Sequence, residues 1–325
     1  MEVLKTLEPE SVNCCVTSPP YWGLRNYGVD GQIGLEENLE EYIDRLVFVF
    51  REVRRVLRND GTLWLNIGDT YCSTAPGTMR DELKPFHISS AAKKPRITVR
   101  PRIPQGLKPK DLIGLPWRLA FALQADGWYL RQDIIWNKTN CIPESVRDRC
   151  TKSHEYIFLL SKSQKYYFNQ ESILEPCVSD KGNAKTFRGG GAYIQGQSFS
   201  NSTAVSRESH GNKPNVRYGG KKYTENPEEF YRTKSGNMYD PRPLKNKRSV
   251  WNVSTSGYKK AHFATFPAKL IEPCILAGCP DGGTVLDPFF GSGTTGEVAA
   301  GQRKKYIGIE LNDKYCELSR KRLGE

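Results

Sequence analysis

The chain has 325 residues, long enough for one large or two ordinary domains with a full core. Hydrophobic residues make up 38 % and no run of 18 apolar residues occurs, which excludes a disordered chain and a membrane-spanning helix. The formal charge is +12, and nine cysteines with none in a C-x-x-C spacing, beside four scattered histidines, argue against a disulfide scaffold or a structural metal site.

In chain order, Val12–Val16 reads as a buried strand, closed by Thr17-Ser18-Pro19-Pro20 because prolines cannot continue a ladder. Asn38 with Glu41 resembles a capping box that starts a helix to about Leu57, with apolar residues at a 3–4 spacing (Leu39, Tyr42, Ile43, Leu46, Phe50, Val53). Asn59-Asp60-Gly61 should turn the chain into a strand over 62–67. Pro116 should open a helix to Asp126, with Gly127 as its stop. Tyr129–Trp136 and Tyr156–Leu160 read as strands, and 165–168 as a hairpin partner of the second. Pro267–Ala277 reads as a helix shortened or kinked by Pro273. A strand at 284–286, a helix at 294–300, a strand at 305–309 and a helix capped by Asn312 complete the chain. Strands alternating with helices imply an α/β fold with a mostly parallel sheet.

The positive charge is concentrated. Residues 84–110 carry +8 with no acid and five prolines, and residues 176–248 carry another +8; the remainder is slightly acidic. The second segment interleaves basic residues with Gly, Ser, Asn and Tyr, a composition suited to a polyanion with exposed bases.

Two short stretches carry chemistry. The first, Val285 to Gly296, is a strand, a glycine turn and a helix, with Gly291, Gly293 and Gly296 in a G-x-G-x-x-G spacing. Such a turn lets a ligand approach the backbone at a helix N-terminus. Glu310, nineteen residues past Gly291, can accept hydrogen bonds from ribose hydroxyls. The pattern alone fits a nicotinamide oxidoreductase. However, only fifteen residues follow Glu310, and Asp287 before the turn would repel a pyrophosphate. A nucleoside with a positive centre, such as S-adenosylmethionine, meets both demands. The second stretch is Thr17-Ser18-Pro19-Pro20-Tyr21-Trp22. Its prolines fix the backbone, the Pro19 carbonyl and the Ser18 hydroxyl offer two acceptors, and Tyr21 offers a flat face. Together they can grip a planar base by its exocyclic amine.

These residues resemble the amino-methylating DNA methyltransferases. Thr17–Trp22 is similar to their catalytic motif, and Asp287-Pro288-Phe289-Phe290-Gly291-Ser292-Gly293-Thr294-Thr295 to their S-adenosylmethionine motif. Catalytic motif first and cofactor motif last resembles the β class, a circular permutation of the common order. The resemblance implies a Rossmann-like α/β methyltransferase sheet over 1–175 and 249–325. It implies a target-recognition insertion over 176–248, with 73–110 a basic, proline-rich loop of the catalytic domain. Ser18, Pro19, Pro20 and Tyr21 become the catalytic residues, with Tyr21 stacked on a flipped base. Asp287, Phe290, Gly291 and Gly293 surround the methionine part of the cofactor, Thr294 and Thr295 start its helix, and Glu310 binds ribose. Phe266 and Pro267 close the pocket from the other side. Relatives commonly place a Gly-Asp pair before the first helix, its acid near the adenine; this chain starts at Met1-Glu2-Val3, so either that role is dropped, or Glu2 substitutes, or the start has been trimmed.

Serine at position 18 leans toward cytosine N4 as the target, with adenine N6 as the alternative. The resemblance further implies double-stranded DNA as partner, a restriction–modification setting, a cytoplasmic location, and neither metal nor membrane, with a homodimer left open. A DNA-binding protein without turnover is the alternative of another class, and the intact Ser18–Tyr21 corner and Asp287 speak against it. Pro176-Cys177 and Pro273-Cys274 could mimic a cytosine-C5 nucleophile, but neither follows a strand end. Asp69 could line the base pocket or form a turn. His154 and His262 read as core histidines.

Overall fold

The computed structural model describes residues 2–24, 26–72, 103–176, 231–232, 238–239, 244–255 and 266–324. Most of the 73–110 loop and of the 176–248 insertion therefore lies outside the described residues, as do Cys177 and His262. Internal contacts divide the chain into two compact units, one of Met1–Ile173 with Arg248–Glu325 and one of Leu174–Lys247.

The first unit begins with α1 (Glu2–Thr6), β1 (Val12–Thr17), α2 (Leu39–Val56), β2 (Leu57–Ile67), α3 (Leu115–Ala125), β3 (Tyr129–Asn137) and β4 (His154–Ser161). In the second unit β5 (Glu175–Pro176) pairs antiparallel with β8 (Leu244–Lys245), and β6 (Tyr231–Arg232) with β7 (Met238–Tyr239). The first unit resumes with β9 (Val250–Asn252), α4 (Ala268–Gly278), β10 (Thr284–Asp287), α5 (Thr294–Gly301), β11 (Lys305–Gly308) and α6 (Asp313–Leu323). Among the described residues no helix is long and apolar enough to cross a membrane.

Seven strands form one sheet in the order β11-β10-β1-β2-β4-β3-β9. All run in one direction except β4, which is antiparallel to both its neighbours. The central strands are buried on both faces, which explains why Cys14, Cys15 and Val16 follow one another in β1 without polar alternation. Alternate residues then feed two cores. Cys15, Leu63, Leu65, Phe158 and Leu160 pack with Leu46, Phe50 and Val53 of α2 and Leu119 of α3. Cys14, Val16, Trp64, Ile157 and Leu159 pack with Ile271 and Ile275 of α4 and Ala299 of α5.

Several local expectations are corrected. Asn59-Asp60-Gly61 is not a separate turn but part of β2. Val12 pairs with Leu57 and Cys14 with Thr62, so residues 58–61 bulge out of the ladder. Asn38 makes no side-chain cap; it and Glu41 line a cavity instead. Residues 165–168 form no strand: the Tyr167 amide bonds the Asp60 carbonyl at 2.8 Å and Phe168 stacks on Trp64 at 6.3 Å. Helix α4 runs through Pro273 with Pro267 as its N-cap. Asp69 does not line the cavity, and it bonds the following Thr70 amide at 2.9 Å. Its carboxylate accepts from the Gly114 and Leu115 amides at 3.1 Å each, anchoring the start of α3 where the helix dipole favours an anion.

Candidate active site

Strand β1 is the switch point of the sheet. The chain leaves it toward β2 on one side, and β10 lies against it on the other. Ligands of open α/β sheets bind in the crevice beyond the carboxyl ends of such strands. A cavity of about 1530 Å3 lies there. Small-molecule pockets run to about 300–1,000 Å3, so this one has space for a cofactor and a second group.

On one side the cavity is walled by the stretch after β10. Asp287 ends that strand, fully buried. It accepts from the Thr17 hydroxyl at 2.5 Å, the Thr295 hydroxyl at 2.6 Å and the Phe289 amide at 3.0 Å. Burial pushes its pKa up to about 6, against the pull of these three donors. Both oxygens are occupied and the residue does not line the cavity; it brackets β1, β10 and α5 together. Gly291 and Gly293 adopt φ of 53° and 81°, a region that favours glycine. The Phe290 ring lines the cavity, and its other contacts need glycine: a Cβ on Gly308 would fall 2.4 Å from it, and one on Gly296 2.7 Å. The Glu310 carboxylate accepts from the Gly291 amide at 2.8 Å and the Leu311 and Asn312 amides at 2.9 and 2.8 Å, and it borders the cavity. Thr294, Phe266 and Glu2 also line it, whereas Gly293, Thr295 and Pro267 stand behind the wall.

On the other side stand the ends of β1, β2, β3 and β4. Ser18, Pro19, Pro20 and Tyr21 all line the cavity. The Pro20 carbonyl is committed to the Tyr42 hydroxyl at 2.8 Å. The Pro19 carbonyl accepts no hydrogen bond among the described residues. Burial, then the adjacent Glu155 carboxylate, holds the Tyr21 hydroxyl well above the usual tyrosine range, while Ser18 within hydrogen-bonding reach pulls the other way. Sequence reasoning missed the partners: Tyr21 donates to Glu155 at 2.7 Å, and Asn66 and Lys138 bond the same carboxylate. Nothing in the sequence pairs Asn66 or Lys138 with position 155.

The DNA methylase family of N6 and N4 methyltransferases matches residues 12–321. The type II methyltransferase M.SmaI of Serratia marcescens is 47 % identical over 322 residues, covering 99 % of this chain and 87 % of that protein. The chain belongs to the N6/N4 DNA methylase family. Solved structures share its fold. The PvuII DNA methyltransferase (cytosine-N4-specific) has a TM-score of 0.58 at 18 % identity, with 98 % of this chain and 81 % of that one covered. A putative DNA modification methylase of Thermus thermophilus, in complex with S-adenosyl-L-methionine, has a TM-score of 0.54 at 22 % identity, covering 99 % and 89 %. As an N6/N4 methylase of the type II, restriction–modification kind, the protein methylates DNA at specific sites and uses S-adenosylmethionine. The residues present fit that cofactor. A Cβ on Gly291 would meet only the Phe289 carbonyl, at 4.0 Å, so the backbone there is open to a ligand. An aromatic ring and a carboxylate, Phe290 and Glu310, border the same space.

Proposed function

We propose that this methylase acts on the N4 amine of a cytosine flipped out of duplex DNA, and that the insertion over residues 176–248 recognises the site. The observation that carries the reading is the acceptor pair at the end of β1. The Pro19 carbonyl is uncommitted among the described residues, and a neutral hydroxyl, Ser18, lies beside it on the cavity.

An exocyclic base amine is a poor nucleophile because its lone pair is delocalised into the ring. The Ser18 Oγ and the Pro19 carbonyl accept its two hydrogens and favour a pyramidal nitrogen, which localises the lone pair outward. Tyr21 supplies the face on which the extruded base stacks, recovering part of the few kcal/mol that extrusion requires. When bound, S-adenosylmethionine supplies an electrophilic methyl group. Glu310, Phe290, Gly291, Thr294 and Phe266 would hold it, Glu2 adds an acid at the rim, and Asp287, Gly293, Thr295 and Pro267 shape the wall from behind. Methylation makes the nitrogen cationic and its remaining protons acidic, so one can leave along a hydrogen bond to solvent and no strong base is required.

Genomic DNA should be treated with enzyme and cofactor, digested to nucleosides and analysed by mass spectrometry. N4-methylcytosine is the expected product. N6-methyladenine would overturn the assignment of the target atom while leaving the cavity's division intact.

A further inference from the structure

The base side of the cavity ends in a polar cluster built around Glu155. Because β4 runs against its neighbours, its first residues stand beside the last residues of β2 and β3. Glu155 thus meets three donors: the Tyr21 hydroxyl at 2.7 Å and the Asn66 amide nitrogen at 3.3 Å on Oε2, and the Lys138 ammonium on Oε1. The Lys138 ammonium also stands 4.7 Å from the centre of the Trp136 ring. Gly68 makes room for the cluster, since a Cβ there would fall 2.7 Å from Tyr21 and 3.2 Å from Glu155. Tyr21, Asn66, Lys138 and Glu155 all line the cavity.

The four differ in what they have left to give. The Tyr21 hydroxyl hydrogen goes to Glu155. Asn66 spends its Nδ2 hydrogens on Glu155 and the Tyr156 carbonyl. An ammonium carries three N–H groups, and among the described residues that of Lys138 bonds only Glu155.

We propose that Lys138, held in place by Glu155, is the donor that reads the acceptor edge of the target base and selects cytosine over adenine. The inference rests on the N4-cytosine reading above. Next to its amine, cytosine presents N3 and then O2, both acceptors; adenine presents N1 and then a C2–H. A donor reaching O2 therefore gains a bond with cytosine alone. The pairing with Glu155 has its own reason. The amine grows more positive as it takes a methyl group, and an unpaired ammonium nearby would oppose that charge. The carboxylate cancels it while leaving two N–H groups without a hydrogen-bond partner among the described residues.

The test measures kcat/KM on a duplex carrying the recognition site and on the same duplex with adenine at the target position. Lys138→Met, which keeps the stem and loses the donor, should lower the cytosine value about 10- to 100-fold, the range of a base-edge hydrogen-bond pair. The adenine value should stay within about threefold, by the same account that C2–H offers no bond. Lys138→Arg should restore most of the cytosine preference. Equal losses on both bases, or none, overturn the proposal. A second measurement needs no stable variant. Sulfur in place of O2 of the target cytosine is a weak acceptor, and it should slow the wild-type enzyme at least about fivefold; an unchanged rate overturns the proposal. If the wild type instead yields N6-methyladenine, the underlying N4 reading falls. If it yields N4-methylcytosine and the cytosine preference is unchanged in Lys138→Met, only the role of Lys138 falls.

Discussion

On the proposed assignment, the two sides of the cavity are assembled in opposite ways. The proposed cofactor side comes mainly from one stretch, from Pro288 after β10 to Asn312 before α6, with Glu2 and Phe266 added from elsewhere in the chain. The base side comes from four strand ends far apart in the chain: Ser18, Asn66, Lys138 and Glu155. Backbone shape dominates the first. Positive φ at Gly291 and Gly293 and a carboxylate gathering three amides at Glu310 define it. Sheet register dominates the second, because the Ile67–Tyr156 and Asn137–His154 pairings bring its side chains together. Asp287 joins the two, with Thr17 of β1 and Thr295 of α5 on its two oxygens. The lesson is that one side tolerates change by sequence neighbourhood and the other by network membership.

The strongest way to break this division is Ser18→Ala. If Ser18 acts only on the target amine, kcat should fall about 10²- to 10³-fold, as for loss of one preorganised polar partner in an active site. Cofactor affinity, read by the shift in melting temperature with S-adenosylmethionine, should be unchanged. A variant that stays fully active removes Ser18 from the reaction, and one that also loses cofactor binding merges the two sides into one.

The bracket itself can be tested by pH. The Asp287 carboxyl has its pKa raised by burial from the ordinary 3.8 to about 6. The folded state therefore holds this proton more tightly than the unfolded state. Its contribution to stability is fully present below pH 3.8 and is lost as pH rises through about 6. At ~1.36 kcal/mol per unit the whole change amounts to about 3 kcal/mol. The stability of the wild type relative to Asp287→Asn, measured by urea unfolding, should fall by about 2 kcal/mol between pH 4 and 7. A difference independent of pH would mean that the donors of Thr17, Thr295 and Phe289 outweigh burial.

The same contrast explains what the sequence disclosed. Helix α2 and the core strands were legible because their apolar spacing survives in one dimension. The glycine turn and the Ser18–Tyr21 corner were legible because each is contiguous. The bulge at 58–61 was not, since an Asn-Asp-Gly run reads as a turn whether it ends a strand or interrupts one. The role of Asp287 was half legible: its position beside the turn showed, but not that Thr17, 270 positions away, would occupy one of its oxygens. Lys138 and Glu155 were invisible as a pair, because only the antiparallel β4 brings them together. Gly308 was passed over for the opposite reason. It sits in a plain strand, and its need for a bare Cα arises from Phe290 packed against it.

The smallest effects sharpen the division furthest, because two glycines support one aromatic ring on each side. Gly308→Ala would place a Cβ 2.4 Å from the Phe290 ring, and Gly68→Ala one 2.7 Å from the Tyr21 ring. Each should destabilise by about 1–3 kcal/mol, the usual range for overpacking. The loss of stability should thus be alike, and the loss of function should not. Displacing Phe290 deforms a wall of the cofactor side, so Gly308→Ala should weaken S-adenosylmethionine binding and spare affinity for DNA. Displacing Tyr21 strains its bond to Glu155, so Gly68→Ala should lower kcat and leave cofactor binding intact. Calorimetric titration of each variant with cofactor, beside single-turnover methylation, reads both quantities. If the two variants lose cofactor affinity equally, Phe290 and Tyr21 belong to one mechanical unit, and the Asp287 bracket transmits strain across the sheet rather than merely joining its halves.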